Sequence, residues 1–304
     1  MKIATTTRDF ANFFDNDSDR IRELHRAGFR YIDLSMYSFK PDSVYLRDGW
    51  QDEVYKIKEL AESLGMKFVQ AHSQGGNPLS DNEEVRDFIL KATNRSLEIC
   101  EILGIKNTVV HNGRQKGLTK KEWFEENKKF YSKLFPMMEK CGVNVLCENS
   151  TKINMGENYF INSGKDMREF IEFVNHPMIH ACFDTGHANC EGSQYDDLMA
   201  LGDELYAIHY NDNRGNADDH VIPFGGTLNH DEILNALIDV KFKGYFTLEC
   251  TSTLRESTYW TAKRRKFDRE SRLVEPPLFM QRQIEKLLYE TAEYLLSTYG
   301  LLEK

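Results

Sequence analysis

Six short apolar runs in this chain each end in an imidazole or a carboxylate. Phe68-Val69-Gln70-Ala71 runs into His72, Thr108-Val109-Val110 into His111, and Val145-Leu146-Cys147 into Glu148. Ala181-Cys182-Phe183 runs into Asp184, Ala207-Ile208 into His209, and Phe246-Thr247-Leu248 into Glu249. His187 follows Asp184 by three residues, and Asp218 and His220 come soon after His209. A parallel strand covered on both faces is apolar throughout, so a titratable group at its end is costly unless it opens onto a site. One histidine so placed is ordinarily a packing residue. Nine such groups together point to a divalent metal, because mixed nitrogen and oxygen donors suit Zn, Mn, Co or Fe. The cysteines add nothing to this set. Cys100, Cys141, Cys147, Cys182, Cys190 and Cys250 form no CxxC pair and read as reduced, buried thiols of a cytoplasmic protein.

Donors at strand ends can meet only if the strands lie side by side and run the same way. Eight strand candidates fit that need: 2–6, 31–35, 67–71, 107–111, 144–148, 179–184, 205–209 and 245–249. Amphipathic helices separate them, among them Val85 to Leu103 and Lys120 to Lys140, the second expected to break at Pro136. Gly28, Gly65, Gly104, Gly142 and Gly244 each stand between a helical stretch and an apolar run, where a left-handed residue stops a helix. Ser80 with Glu83, Thr119 with Glu122 and Asn229 with Glu232 have the spacing of helix N-caps. The alternation predicts a (β/α)8 TIM barrel forming a single domain over residues 1–304, with an open doubly wound sheet as the alternative. An irregular basic insertion over 251–277 follows the eighth strand, carrying Tyr259, Trp260 and the cations Lys263 to Lys266. Its position beside Glu249 predicts a lid or an oligomer contact, and residues 278–304 contain a closing helix, roughly Gln281 to Tyr299.

Composition bounds the partners. Lys and Arg number 39 against 48 Asp and Glu, a net charge of −9. That balance works against gripping a phosphate backbone, so a nucleic-acid partner is disfavoured. The first ten residues, MKIATTTRDF, hold no apolar signal core, and no run is long enough to span a bilayer.

The strand-end segments resemble those of the xylose-isomerase-like barrels, a family of sugar isomerases and epimerases, inosose-processing enzymes and apurinic-site endonucleases. The carriers are Val110-His111-Asn-Gly, Cys147-Glu148-Asn, Phe183-Asp184-Thr-Gly-His187, His209-Tyr-Asn-Asp212, the Asp218-Asp-His220…Gly225-Gly226 loop, and Leu248-Glu249. In the epimerases, the resemblance implies, residues matching Glu148, Asp184, His209 and Glu249 hold the metal. In the endonuclease branch three zinc ions also use positions matching His72, His111, His187, Asp218 and His220. The loop around Gly225 and Gly226 departs from the usual Gly-acid-Gly of the family.

The resemblance and the acidic balance together imply an isomerase or epimerase of a sugar, sugar phosphate or inosose. One Mn, Zn or Co ion is expected, with room for up to three. Glu148 and Glu249 are the expected proton-transfer groups, acting through a metal-stabilised enediolate. His187 and Arg214 would hold substrate hydroxyls or help move protons. The alternatives are a zinc phosphodiesterase and a non-catalytic sugar-binding or complex-forming subunit. A homo-oligomer is compatible with each.

Overall fold

The computed structural model describes residues 1–254 and 275–303. Its eight strands are β1 (Ile3–Thr6), β2 (Tyr31–Ser35), β3 (Lys67–His72), β4 (Asn107–Val109), β5 (Asn144–Glu148), β6 (Ile179–Asp184), β7 (Leu205–His209) and β8 (Phe246–Leu248). All pair in parallel, each with its chain neighbour, and β8 pairs with β1. A parallel bridge between Tyr210 and Leu248 closes the ring where β7 meets β8, carried by Tyr210 N–H on Thr247 O at 2.7 Å. The fold is the (β/α)8 barrel the alternation predicts, and the open-sheet alternative falls. β4 and β8 end earlier than expected, so His111 and Glu249 sit just past the last ladder residues.

Side chains alternate along each strand, and the apolar ones sort accordingly. Val109, Leu146, Cys182 and Ala207, one from each of β4 to β7, form a small buried cluster of their own. Their neighbours Val145, Cys147, Ala181, Phe183 and Ile208 belong to the larger core that the helices cover. The first set therefore fills the barrel interior and the second faces outward.

Local signals held where the chain chemistry was specific. Gly28, Gly104 and Gly142 cap their helices with left-handed backbone, and Gly65 follows its helix with φ +66°. Thr119 makes a full capping box with Glu122. Pro136 divides the expected long helix into Lys120–Ser132 and Phe135–Cys141. Two expectations need correction. Asn82, not Ser80, caps the helix Glu83–Leu103, because Ser80 Oγ accepts from Asn82 N–H and is used up in the preceding turn. Lys241, not Gly244, takes the left-handed turn after the helix His230–Asp239. At Gly244 a Cβ would come within 2.3 Å of the Phe242 ring, so glycine there makes room for an aromatic. Of the insertion expected over 251–277, residues 255–274, with Tyr259, Trp260 and Lys263 to Lys266, lie outside the described residues. Among the described residues no helix is long and apolar enough to cross a membrane.

The closing helix, Leu278–Thr298, buries a carboxylate against another. Glu285 and Asp9 are each 1% exposed, and Glu285 Oε1 and Asp9 Oδ1 both lack a donor. Burial pushes the Asp9 carboxyl up to about 7, although Thr5 donates to it at 2.7 Å, and burial with the Asp9 charge pushes Glu285 well above the usual carboxylate range. Both groups hold protons in the fold that the unfolded chain releases, so stability falls as pH rises from about 4 to about 7. Glu285→Gln keeps the volume and supplies a donor to Asp9. We expect it to raise stability at pH 8 by on the order of 1–3 kcal/mol, and by less at pH 5. Melting curves of both proteins at the two pH values check this; equal gains at both would refute it.

Candidate metal centre

The two-residue alternation that places Leu146, Cys182 and Ala207 inside the barrel places Glu148, Asp184 and His209 on the same face, two residues further along β5, β6 and β7. That is why groups far apart in sequence converge. One donor atom from each of Glu148, Asp184, His209 and Glu249 lies within 4.8 Å of every other. All four are buried, at 2%, 0%, 0% and 6% exposure. Three further groups meet the same distance condition: His72 with His111 and Glu148, Glu148 with Cys182 and His209, and Asp184 with His187 and His220.

The ring orientations are set from outside. His72 Nδ1–H donates to Ser73 O at 3.0 Å, His187 Nδ1–H to Asn149 O at 2.8 Å, and His220 Nδ1–H to Glu249 O at 2.9 Å. Each bond ties Nδ1 to a carbonyl and turns Nε2 toward the cavity, the edge that could serve a metal once its proton is lost. His209 is held the other way round. Its Nε2 lies 2.8 Å from the Gln70 amide and 3.5 Å from Asp33 Oδ2, while Nδ1 faces Glu148 and Glu249. His220 keeps φ +46°, a conformation non-glycine residues rarely hold without a reason in the surroundings.

The motifs have visible structural roles. Asp184 Oδ1 caps a short helix by accepting from His187 N–H at 2.7 Å, and its Oδ2 accepts from Asn211 at 2.7 Å. Asn149, the residue after Glu148, pairs through its amide with both the N–H and C=O of Asp184. Between Asp184 and His187, Gly186 lies so close to Asn211 Oδ1 that a Cβ would fall 1.9 Å from it. Any larger residue would push Asn211 off Asp184.

Charge is concentrated here. Burial raises Asp184, while it is outweighed at Glu148 by His209 and His111, which hold that carboxyl well below its usual range. Burial works against charge on His187, yet Asp184 and Asp218 lift it to about 10. Against their burial, His209 is raised by Cys182, Glu249 and Glu148 beside it, and His220 by Asp218. Without a cation, protonated histidines are what balance Glu148, Asp184, Asp218 and Glu249. Both Asp33 oxygens also stay buried with no hydrogen-bond donor. Three carboxylates and an imidazole around one point fit a divalent ion, which would take over that balancing.

A cavity of about 490 Å³ opens over this cluster, lined by His72, His111, Glu148, His187, Asp218, His220 and Glu249. Asp184 and His209 lie beneath it, with no exposed surface. Asn154 bonds Asp218 at 2.6 Å from the cavity wall. Arg214, expected at the substrate, is not among the lining residues; its guanidinium lies 3.5 Å from Asp219. Sequence reasoning missed Asp33, Gln70, Asn149 and Asn211. A carboxylate inside the run Tyr31-Ile32-Asp33-Leu34 was a usable signal for the first, and the residues just after Glu148 and His209 for the last two.

Comparison with known proteins agrees with this architecture. A family model described as "Xylose isomerase-like TIM barrel" matches residues 21–270. The crystal structure of a D-tagatose 3-epimerase-like protein superposes with a TM-score of 0.75 at 18% identity, covering 99% of this chain and 98% of that one. The IOLI protein, crystallised with a binding zinc atom, superposes with a TM-score of 0.74 at 17% identity over 98% and 99% of the two chains. A "Probable endonuclease 4" of Aquifex aeolicus is 24% identical over 199 residues, 61% of this chain and 64% of that protein.

Proposed function

This chain belongs to the xylose isomerase-like TIM barrel family, and from that premise we propose that it is a divalent-metal-dependent isomerase or epimerase of a sugar or related polyhydroxy ketone. The observation that carries the reading is the meeting of Glu148, Asp184, His209 and Glu249 at one point beneath a polar cavity. These four would hold the ion, one of Mn, Zn or Co. When bound it supplies the positive charge that makes the carbon next to a carbonyl acidic enough to lose a proton. The remaining chemistry belongs to the chain. Glu148 ends β5 and Glu249 follows β8, so their carboxylates approach a bound substrate from different staves of the barrel. One removes the proton and the other returns it. Return to the opposite face of the same carbon gives the epimer, and return to the neighbouring carbon gives the isomer. His187, Ser150, Asn154 and Ser252 line the cavity and can hold hydroxyls. The epimerase-like and zinc-binding structures of the same fold support this reading.

Turnover in deuterium oxide tests it. A panel of ketoses and inososes incubated with the metal-loaded enzyme should yield product carrying deuterium at the carbon next to the carbonyl. Product formed with no solvent deuterium would replace proton transfer by a hydride shift. No turnover of any polyhydroxy ketone would overturn the reading.

One observation favours a second reading. His72, His111, His187, Asp218 and His220 all line the same cavity, giving donors enough for more than one ion and for hydroxide attack on a phosphodiester. Cleavage of an abasic-site duplex, together with two or more tightly held ions per chain, would move the assignment there. The net charge of −9 weighs against it.

A further inference from the structure

Two arginines line the cavity and, among the described residues, have no carboxylate to pair with. Arg8 sits in the 3-10 turn Thr7–Phe10 directly after β1, and Arg114 in the loop after β4, so they reach the mouth from well-separated staves. Among the described residues neither forms an ion pair. Arg20, Arg26, Arg95, Arg168, Arg214 and Arg282 each do. Among the described residues Arg30, Arg47 and Arg86 form none either, so what sets Arg8 and Arg114 apart is their shared place on the cavity wall.

Both are nonetheless held in place. The Arg8 guanidinium lies 4.5 Å from the Tyr37 ring centroid, and that ring sits 5.1 Å from His72 and 5.6 Å from His111. Arg8 is thus one aromatic ring away from the metal-centre histidines. Its side chain bonds no acceptor among the described residues, which leaves its whole donor fork available. Arg114 spends one Nη1 donor on Asn154 O at 2.7 Å, and Asn77 grips its backbone by N–H and C=O, at 2.8 Å each. Nη1 also reaches Met155 Sδ at 3.9 Å, and among the described residues Nε and Nη2 bond no acceptor. A neutral hydroxyl asks for an amide or a hydroxyl, which this wall already supplies. A guanidinium fork of full charge suits an oxyanion, which it can grip with two bonds.

We infer that the substrate carries an anion, a phosphate or carboxylate, away from its reacting carbon, and that Arg8 and Arg114 hold that group at the cavity mouth. The inference rests on the isomerase reading and names its substrate class. The competing role for Arg8 is to offset the carboxylates of the metal centre from a distance. That role would alter metal content and the turnover of every substrate alike.

The experiment compares each active ketose with its phosphorylated and carboxylated counterparts, for the metal-loaded parent and the double variant Arg8→Gln, Arg114→Gln. Sulfate binding to both proteins is measured by calorimetry, a readout independent of turnover. The parent should prefer the anionic substrate by roughly 100-fold or more in kcat/KM. In the variant that ratio should fall toward one through KM, with metal content retained and sulfate binding lost. A parent that prefers the neutral ketose, or a variant with an unchanged ratio and unchanged sulfate binding, overturns the inference while leaving the isomerase reading intact. Arginine-dependent sulfate binding with no ketose turned over sinks the isomerase reading and keeps the anion site. Cleavage of an abasic-site duplex that depends on the two arginines assigns them to a polynucleotide backbone and overturns the small-anion inference.

Discussion

Glu148→Gln and Glu249→Gln are each expected to lower turnover by roughly 10²–10⁴-fold while the protein still takes up its metal at saturation. Glutamine keeps an oxygen for the ion but cannot accept the substrate proton, so the two functions of each residue separate. Glu148 is the more embedded of the pair, since His111 and His209 both bond it and hold it ionised. Glu249 is lowered as well, against its burial, by His209 and His220. Both are therefore ready to act as bases at neutral pH. If the two carboxylates serve opposite faces of one carbon, each variant should lose solvent exchange with a different epimer. Metal analysis and deuterium exchange on the same samples decide the matter. A metal-saturated variant within ten-fold of the parent would remove that residue from proton transfer.

Stripping the metal with a chelator should abolish turnover, and Mn, Co or Zn should restore it to different extents. The ion count at full recovery distinguishes one site from three. Removal should also change how stability depends on pH. In the stripped protein His187 is raised to about 10, by Asp184 and Asp218 against the effect of burial, compared with about 6.5 in an unfolded chain. A histidine raised on folding stabilises fully below its unfolded value and loses that contribution as pH rises through the folded one. Stripped protein should therefore lose melting temperature steadily from about pH 6.5 toward pH 10. Loaded protein should lose less, because the ion replaces the protons and binds only the folded site. Full activity in exhaustively stripped enzyme would end the metal assignment. Parallel melting profiles would end the account of how the cluster is balanced.

Much of this protein could be read along the chain because the decisive physics is local. A carboxylate or imidazole closing an apolar run is visible without a fold, and so are a capping box at Thr119 and a break at Pro136. Strand alternation is equally local, and it alone places Glu148 on the face of Leu146 and Asp184 on the face of Cys182. What the chain could not show is which of those faces meet. That depends on closure of the ring at Tyr210 and Leu248, which brings β8 and Glu249 round to His209. Residues acting at a distance were hidden for the same reason. Asp33 matters through His209, and Glu285 through Asp9 at the other end of the chain. Arg8 and Arg114 gain meaning from the cavity they share. Arg214 lies five residues before Asp219, and only the fold shows the 3.5 Å between them. Residue type and period fix what each strand end offers; only the packed barrel sets the distances, and shared charge and coordination depend on distance.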